Sequence, residues 1–159
     1  MIRLLWISAL SLLPALVALA QGRRETGEPA IFPYPMHQFA LDNGLKVIAI
    51  PFDSPGIIAY YTVVRTGSRN EIEPGKSGFA HFFEHMMFRG TEKYPAAKFN
   101  DVLKSIGADN NAFTSDDETV YHIVASSGAL ETIMDLESDR FQHLQYTEED
   151  FKTEAGAIL

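Results

Sequence analysis

His81-Phe82-Phe83-Glu84-His85, flanked by Gly78-Phe79-Ala80 and by Met86-Met87-Phe88, is the stretch that organises the rest of the chain. Two histidines four residues apart on a helix put both imidazoles on one face, one turn apart, within reach of a single metal ion. Glu84 follows His81 by three residues and precedes His85 by one, at the edge of that face. A carboxylate so placed reaches a water held by the metal without being a ligand itself. Phe79, Ala80, Phe82, Phe83, Met86, Met87 and Phe88 make the helix apolar nearly all round, which predicts that it is buried. The ordinary alternative is a pair of core histidines satisfied by backbone carbonyls. Two imidazoles and a carboxylate in so apolar a helix are costly without a common partner, and this favours the metal.

The order His-x-x-Glu-His reverses the commoner zinc-protease signature His-Glu-x-x-His. Zinc lowers the pKa of a water it holds to about 7, and a neighbouring glutamate can take that proton as the water attacks a peptide carbonyl. The spacing therefore predicts zinc ligands at His81 and His85 and a general base at Glu84.

Outward from the metal stretch, the pattern alternates between strands and helices. Upstream, Asp42-Asn43-Gly44 is a hairpin turn signal between short strands at residues 38–41 and 45–50. The β-branched and aromatic run at residues 57–65 predicts a longer strand. A loop over residues 66–77 contains Gly67, Pro74 and Gly75, and Ser77 is the expected N-cap of the metal helix. Downstream, Gly90 is the expected C-terminal cap, and Pro95 opens a helix that Gly107 ends. Residues 108–115 and 119–125 predict two strands around the acidic turn Asp116-Asp117-Glu118. Ser127 is expected to cap a helix over residues 128–143, and Thr147 to open a last helix. No stop signal precedes Leu159, so that helix is expected to run on past it. The sum is an α+β fold, a two-layer sandwich of a mostly antiparallel sheet with helices packed on one face, incomplete at the C-terminus.

Residues 1–20 have the marks of a cleaved signal peptide: Arg3, an apolar stretch interrupted by Pro14, and Ala18-Leu19-Ala20 as the cleavage site. Residues 21–37 form an N-terminal arm, and residues 38–159 the domain. The chain has no cysteine, which excludes a disulfide framework and suits a periplasmic or extracellular bacterial location. It carries 13 Lys and Arg against 21 Asp and Glu, a net −8 that becomes −9 when the leader with its single Arg3 is removed. That acidity argues against a nucleic-acid partner. No membrane association is expected after signal cleavage.

Several linked stretches carry a resemblance that covers nearly all of the chain from Phe39 onward. They are Leu41-Asp42-Asn43-Gly44-Leu45, Gly67-Ser68-Arg69-Asn70-Glu71, residues 78–88, Gly90-Thr91, Asn111-Ala112-Phe113-Thr114 and Thr119-Val120-Tyr121. In this order they resemble the insulinase/pitrilysin family of zinc peptidases, which includes the mitochondrial processing peptidases. The resemblance implies a zinc-dependent metalloendopeptidase that hydrolyses oligopeptides or small unfolded proteins. It gives His81 and His85 the part of zinc ligands and Glu84 that of general base. It implies a third ligand, a glutamate on a later helix, with a supporting glutamate seven residues earlier. The match to Glu154-Ala155-Gly156-Ala157-Ile158-Leu159 gives Glu154 the supporting position and sets the third ligand two residues beyond Leu159. One Zn2+ per site is implied.

In the family, the strand matching residues 110–114 lies at the sheet edge and takes up substrate backbone as an added strand. Asn111, Ala112 and Phe113 are therefore candidate substrate contacts, the alternative being an ordinary strand with Phe113 in the core. His37, His122 and His143 lack ligand spacing and are expected to be structural or surface residues. Asp116, Asp117 and Glu118 suit a solvated turn, and Asp150 a helix N-terminus. The expected partners are a peptide substrate and a homologous C-terminal domain, on the same chain or another. This chain alone is expected to be inactive. The competing reading is a non-catalytic family member that serves as a chamber-forming subunit, although such members typically lose the metal stretch that is intact here.

Overall fold

The computed structural model describes residues 32–75 and 77–158. The signal-peptide assignment, residues 1–20, lies outside them, as does most of the expected arm. Two units are distinguished, divided after Phe52.

The described part of the first unit is a hairpin of β1 (His37–Ala40) and β2 (Lys46–Ala49), antiparallel, with His37 opposite Ala49 and Ala40 opposite Lys46. Its turn is the one the sequence predicts. Asn43 Oδ1 accepts the Leu45 N–H at 3.0 Å, and Leu41 O accepts the Gly44 N–H at 2.9 Å. The Tyr34 ring lies between Phe32 and Phe52, 5.5 and 5.4 Å away.

The second unit follows the order β3 (Ile57–Val64), α1 (Phe79–Met86), α2 (Ala96–Ser105), β4 (Asp109–Thr114), β5 (Thr119–Ser126), α3 (Leu130–His143) and α4 (Glu148–Ile158). Its sheet is antiparallel throughout and ordered β3-β5-β4. β5 is central and nearly continuous in buried residues, as a strand flanked on both sides should be. β4 is therefore an edge strand. Phe99 and Leu103 of α2 and Ile133 and Leu136 of α3 close over Ile123 and Ala125, with Ile58 and Tyr60 of β3 packed alongside. Ile57, Ala59, Tyr61 and Val63 alternate toward the other face. This is the expected α+β arrangement.

A charge is built into the core. Arg140, 3% exposed, bonds Glu137 through Nη2 at 2.7 Å. The Thr62 hydroxyl donates to the same carboxylate at 3.2 Å. The guanidinium lies 4.7 Å from the Tyr121 ring, 5.2 Å from Phe88 and 5.3 Å from Phe99, so one side chain joins α3 to β5, to the segment just past α1 and to α2. Buried Asp139 performs a second tie by accepting the Thr91 hydroxyl, while Thr91 Oγ1 accepts the Tyr94 N–H at 2.9 Å.

Three local expectations are corrected. Gly90 does not cap α1, which closes at Met86. It sits at φ +97°, where a Cβ would stand 2.6 Å from the Ala96 nitrogen, so the glycine answers a close backbone approach and not a helix end. Pro95 stands immediately before α2, not within it. A short 3-10 turn, Ser127–Ala129, precedes α3, whose N-cap is Ala129 in place of Ser127. Thr147 behaves as expected. Its Oγ1 accepts the Asp150 N–H at 3.1 Å while Asp150 Oδ2 accepts the Thr147 N–H at 2.9 Å, a reciprocal cap.

Candidate metal centre

Helix α1 is aimed by the loop before it. Gly67 lies flush against the β4–β5 turn, where a Cβ would stand 2.3 Å from Ser115 O. With nothing in the way, the Ser68 N–H reaches Ser115 O at 3.1 Å and the Arg69 N–H reaches Asp116 O at 2.9 Å. This anchored turn ends at Glu71, whose two carboxylate oxygens accept the Gly78 and Ala80 N–H groups at 2.5 and 2.6 Å. Glu71 therefore supplies the cap expected of Ser77. It satisfies the otherwise unpaired donors of the first turn and sets a negative charge at the positive end of the helix. The N-cap residue is Gly78, at φ +93°.

α1 is half covered, not buried all round as its composition predicts. Phe82, Glu84 and Met86 are buried, whereas Phe83 is 46% exposed. α4 and the sheet cover one side of this helix, with the Phe151 ring 4.8 Å from Phe82. His81 and His85 lie together toward the open side, ring centroids 4.9 Å apart.

Glu154 comes from α4 to the same place. Its Oε2 lies 3.0 Å from His85 Nδ1, and its Oε1 accepts from Arg89 Nη2. Arg89 Nη1 also meets Asp150 Oδ1 at 3.2 Å, one turn back along α4. The carboxylate accepts a hydrogen bond from Nδ1–H and so selects the tautomer that leaves His85 Nε2 as a lone-pair donor. His81 and His85 thus fit a zinc ion as an imidazole pair, the donor type zinc favours. Among the described residues, no group of three or more His, Cys, Asp or Glu side chains is placed to hold a metal. Glu84, 8% exposed, receives the Thr114 hydroxyl on Oε2 at 2.5 Å. Near it, burial pushes the Tyr121 phenol up to about 12, so that group stays neutral. Glu84, His85, Phe88, Arg89, Ala96, Asn111 and Glu154 line one cleft of about 460 Å³.

Asn111 and Phe113 lie on the exposed side of edge strand β4, Phe113 being 47% exposed and outside the core, while Ala112 alternates to the half-buried side. Asn111 Oδ1 accepts the Ala112 N–H at 2.9 Å. His122 stacks on Tyr61 at 5.6 Å, and His143 pairs with Asp139 at 3.0 Å. Asp116 and Asp117 bind Arg69 in an exposed turn. Sequence reasoning missed Glu71, Arg89 and Thr114 as site residues. Only Arg89 had a local signal: it continues the 81, 85 spacing along one helical stripe.

The family model described as "Insulinase (Peptidase family M16)" matches residues 57–159. The zinc protease PqqE of Helicobacter pylori is 36% identical over 126 residues, covering 78% of this chain and 28% of that protein. The mitochondrial-processing peptidase subunit beta of Rattus norvegicus is 36% identical over 122 residues, 75% of this chain and 24% of its own. A crystal structure of a protease from Helicobacter pylori superposes with a TM-score of 0.74 at 34% identity, over 78% of this chain and 30% of that one. The first half of the periplasmic protease PqqL from Escherichia coli superposes with a TM-score of 0.69 at 32% identity, over 77% of this chain and 28% of that one. The present chain thus spans from 24% to 30% of the length of these four. With the inverted metal signature on α1, the edge strand beside it and a match over more than half its length, the chain belongs to the insulinase family of peptidases.

Proposed function

We propose that this chain is the zinc-bearing N-terminal part of an exported metalloendopeptidase that cleaves oligopeptides or small unfolded proteins. The observation that carries the reading is the bond from His85 Nδ1–H to Glu154, which leaves Nε2 of that imidazole free on a helix where the His81 ring lies 4.9 Å away. His81 and His85 would hold one Zn2+, with a third carboxylate ligand supplied two residues past Leu159. When bound, zinc supplies Lewis acidity toward a peptide carbonyl and a water. Glu84 accepts a proton from the attacking water and returns it to the leaving amine. Asn111, Ala112 and Phe113 receive the substrate backbone along β4, the incoming strand replacing the bond that Asn111 now makes to the Ala112 N–H. A homologous partner domain, in cis or in trans, completes the substrate site. The description of one relative as a periplasmic protease, together with residues 1–20 read as a signal peptide, supports export to the periplasm. Among the described residues, no helix is long and apolar enough to cross a membrane.

The test compares a chain ending at Leu159 with one carried through the end of α4. The longer form should bind zinc stoichiometrically and the shorter only weakly, and neither should reach full turnover without the partner domain. Tight binding by the shorter form would assign the third ligand to Glu154 or another acid of this chain. Within the full-length protein, Glu154→Ala should weaken zinc binding about 10- to 100-fold, because His85 loses the group that orients it. Competition against a chelating dye measures this. Affinity unchanged in that variant would remove Glu154 from the site.

A further inference from the structure

We propose that Thr114 is a positioning residue for Glu84, holding the carboxylate in one orientation and tying it to strand β4. The inference rests on Glu84 acting as the base. Thr114 is the last residue of β4, and its hydroxyl makes the one side-chain hydrogen bond that Glu84 has among the described residues, at 2.5 Å to Oε2. Oε1 is left without a protein partner there, beside the cleft that Glu84 lines. One oxygen is held and the other is free, which is the division a base needs if it is to be both fixed and reactive.

The direction of the Thr114 proton follows from its neighbours. Thr119, directly across the strand pair, lies 3.2 Å from Thr114 through its own hydroxyl. The Thr119 proton is engaged by Thr66 O at 2.9 Å. Thr114 has a single proton, and the carboxylate is both the nearer and the stronger acceptor. The backbone carries the constraint further. Ser115, the next residue, gives its carbonyl to the Ser68 N–H, in the turn that ends at Glu71 and caps α1. Both ends of the Thr114–Glu84 bond are therefore anchored to the same loop. If substrate backbone lies along β4, the scissile bond and the base are referenced to a single strand, and their separation does not depend on independent movement of α1.

The experiment uses the full-length protein with Thr114→Val, which keeps the shape and removes the hydroxyl, and Thr114→Ser, which keeps the hydroxyl. Thr114→Val should lower kcat about 10- to 100-fold on an unstructured peptide, with KM and zinc stoichiometry unchanged. Thr114→Ser should return kcat to within about threefold of the parent. Crystals of Thr114→Val should show the Glu84 carboxylate out of its parental orientation. Wild-type kcat in Thr114→Val, equal losses in the Val and Ser variants, or an unmoved Glu84 would each overturn the proposal. If Thr114→Val does not fold, Thr114→Ala takes its place with the same expected outcomes. Glu84→Gln measured alongside separates the two claims. Normal turnover there overturns the base itself, whereas a loss there with Thr114→Val unaffected overturns only the positioning role.

Discussion

Glu84→Gln should leave zinc bound and reduce kcat on an unstructured peptide by on the order of 10² to 10⁴, the usual contribution of a positioned general base. The substitution conserves the volume of a side chain that is 8% exposed, so it opens no cavity under the metal helix. The amide oxygen can still accept the Thr114 hydroxyl, which keeps the local hydrogen bond that the carboxylate made at 2.5 Å. What the amide cannot do is take a proton. The expected signature is unchanged zinc content and nearly unchanged KM with a large loss of kcat. Turnover near the parental rate would reassign the base, and loss of zinc would make Glu84 a ligand.

The second large effect is on the metal. His81→Ala and His85→Ala in the full-length protein should each abolish stoichiometric zinc binding, since in the proposed site each is one of the few protein ligands a catalytic zinc has. Neither should unfold the protein. His81 is exposed, and the His85 side chain is 41% exposed, so little apolar burial is lost. Glu154 keeps Arg89 as a partner when His85 is removed and is not left as an unpaired charge. The measurement is unfolding with and without zinc. A parent protein in free zinc at 100 times Kd gains about 2.7 kcal/mol, and the alanine variants should gain nothing. A zinc-dependent shift that survived in either variant would remove that histidine from the ligand set.

The elements that the sequence predicts well are those whose signals are local. The 57–64 strand has its β-branched and aromatic run, the Asp42-Asn43-Gly44 turn its glycine, and α4 its Thr147/Asp150 pair three residues apart. The juxtaposition of His81 and His85 is legible for the same reason, because four residues is one helical turn whatever surrounds it, and their ring centroids lie 4.9 Å apart. The misses come from contacts that cross the chain. Glu71 caps α1 from seven residues before Gly78, beyond the three-residue reach of a capping box, so the nearer serine took the assignment. Thr114 meets Glu84 across thirty residues, and no periodicity encodes that. The burial expected of α1 failed because composition gives the character of a surface but not the presence of a neighbour to cover it. Phe83, with the Phe82 ring 5.5 Å away on one side, stays 46% exposed.

The two glycines in close contact with main chain determine where inactivating variation should arise. At Gly67 and Gly90 the atoms that would meet a new methyl are backbone carbonyls and nitrogens, which cannot swing aside as a side-chain tip does. An alanine at position 67 has to lift the loop from the β4–β5 turn, and with it the carboxylate that starts the metal helix. An alanine at position 90 has to push back the entry to α2. Neither residue touches the imidazoles, yet both are less replaceable than many that line the cleft. In a population of variants of this protein, depletion at these two positions would mark the limits of the backbone, where depletion at His81, Glu84 and His85 would mark the limits of the chemistry.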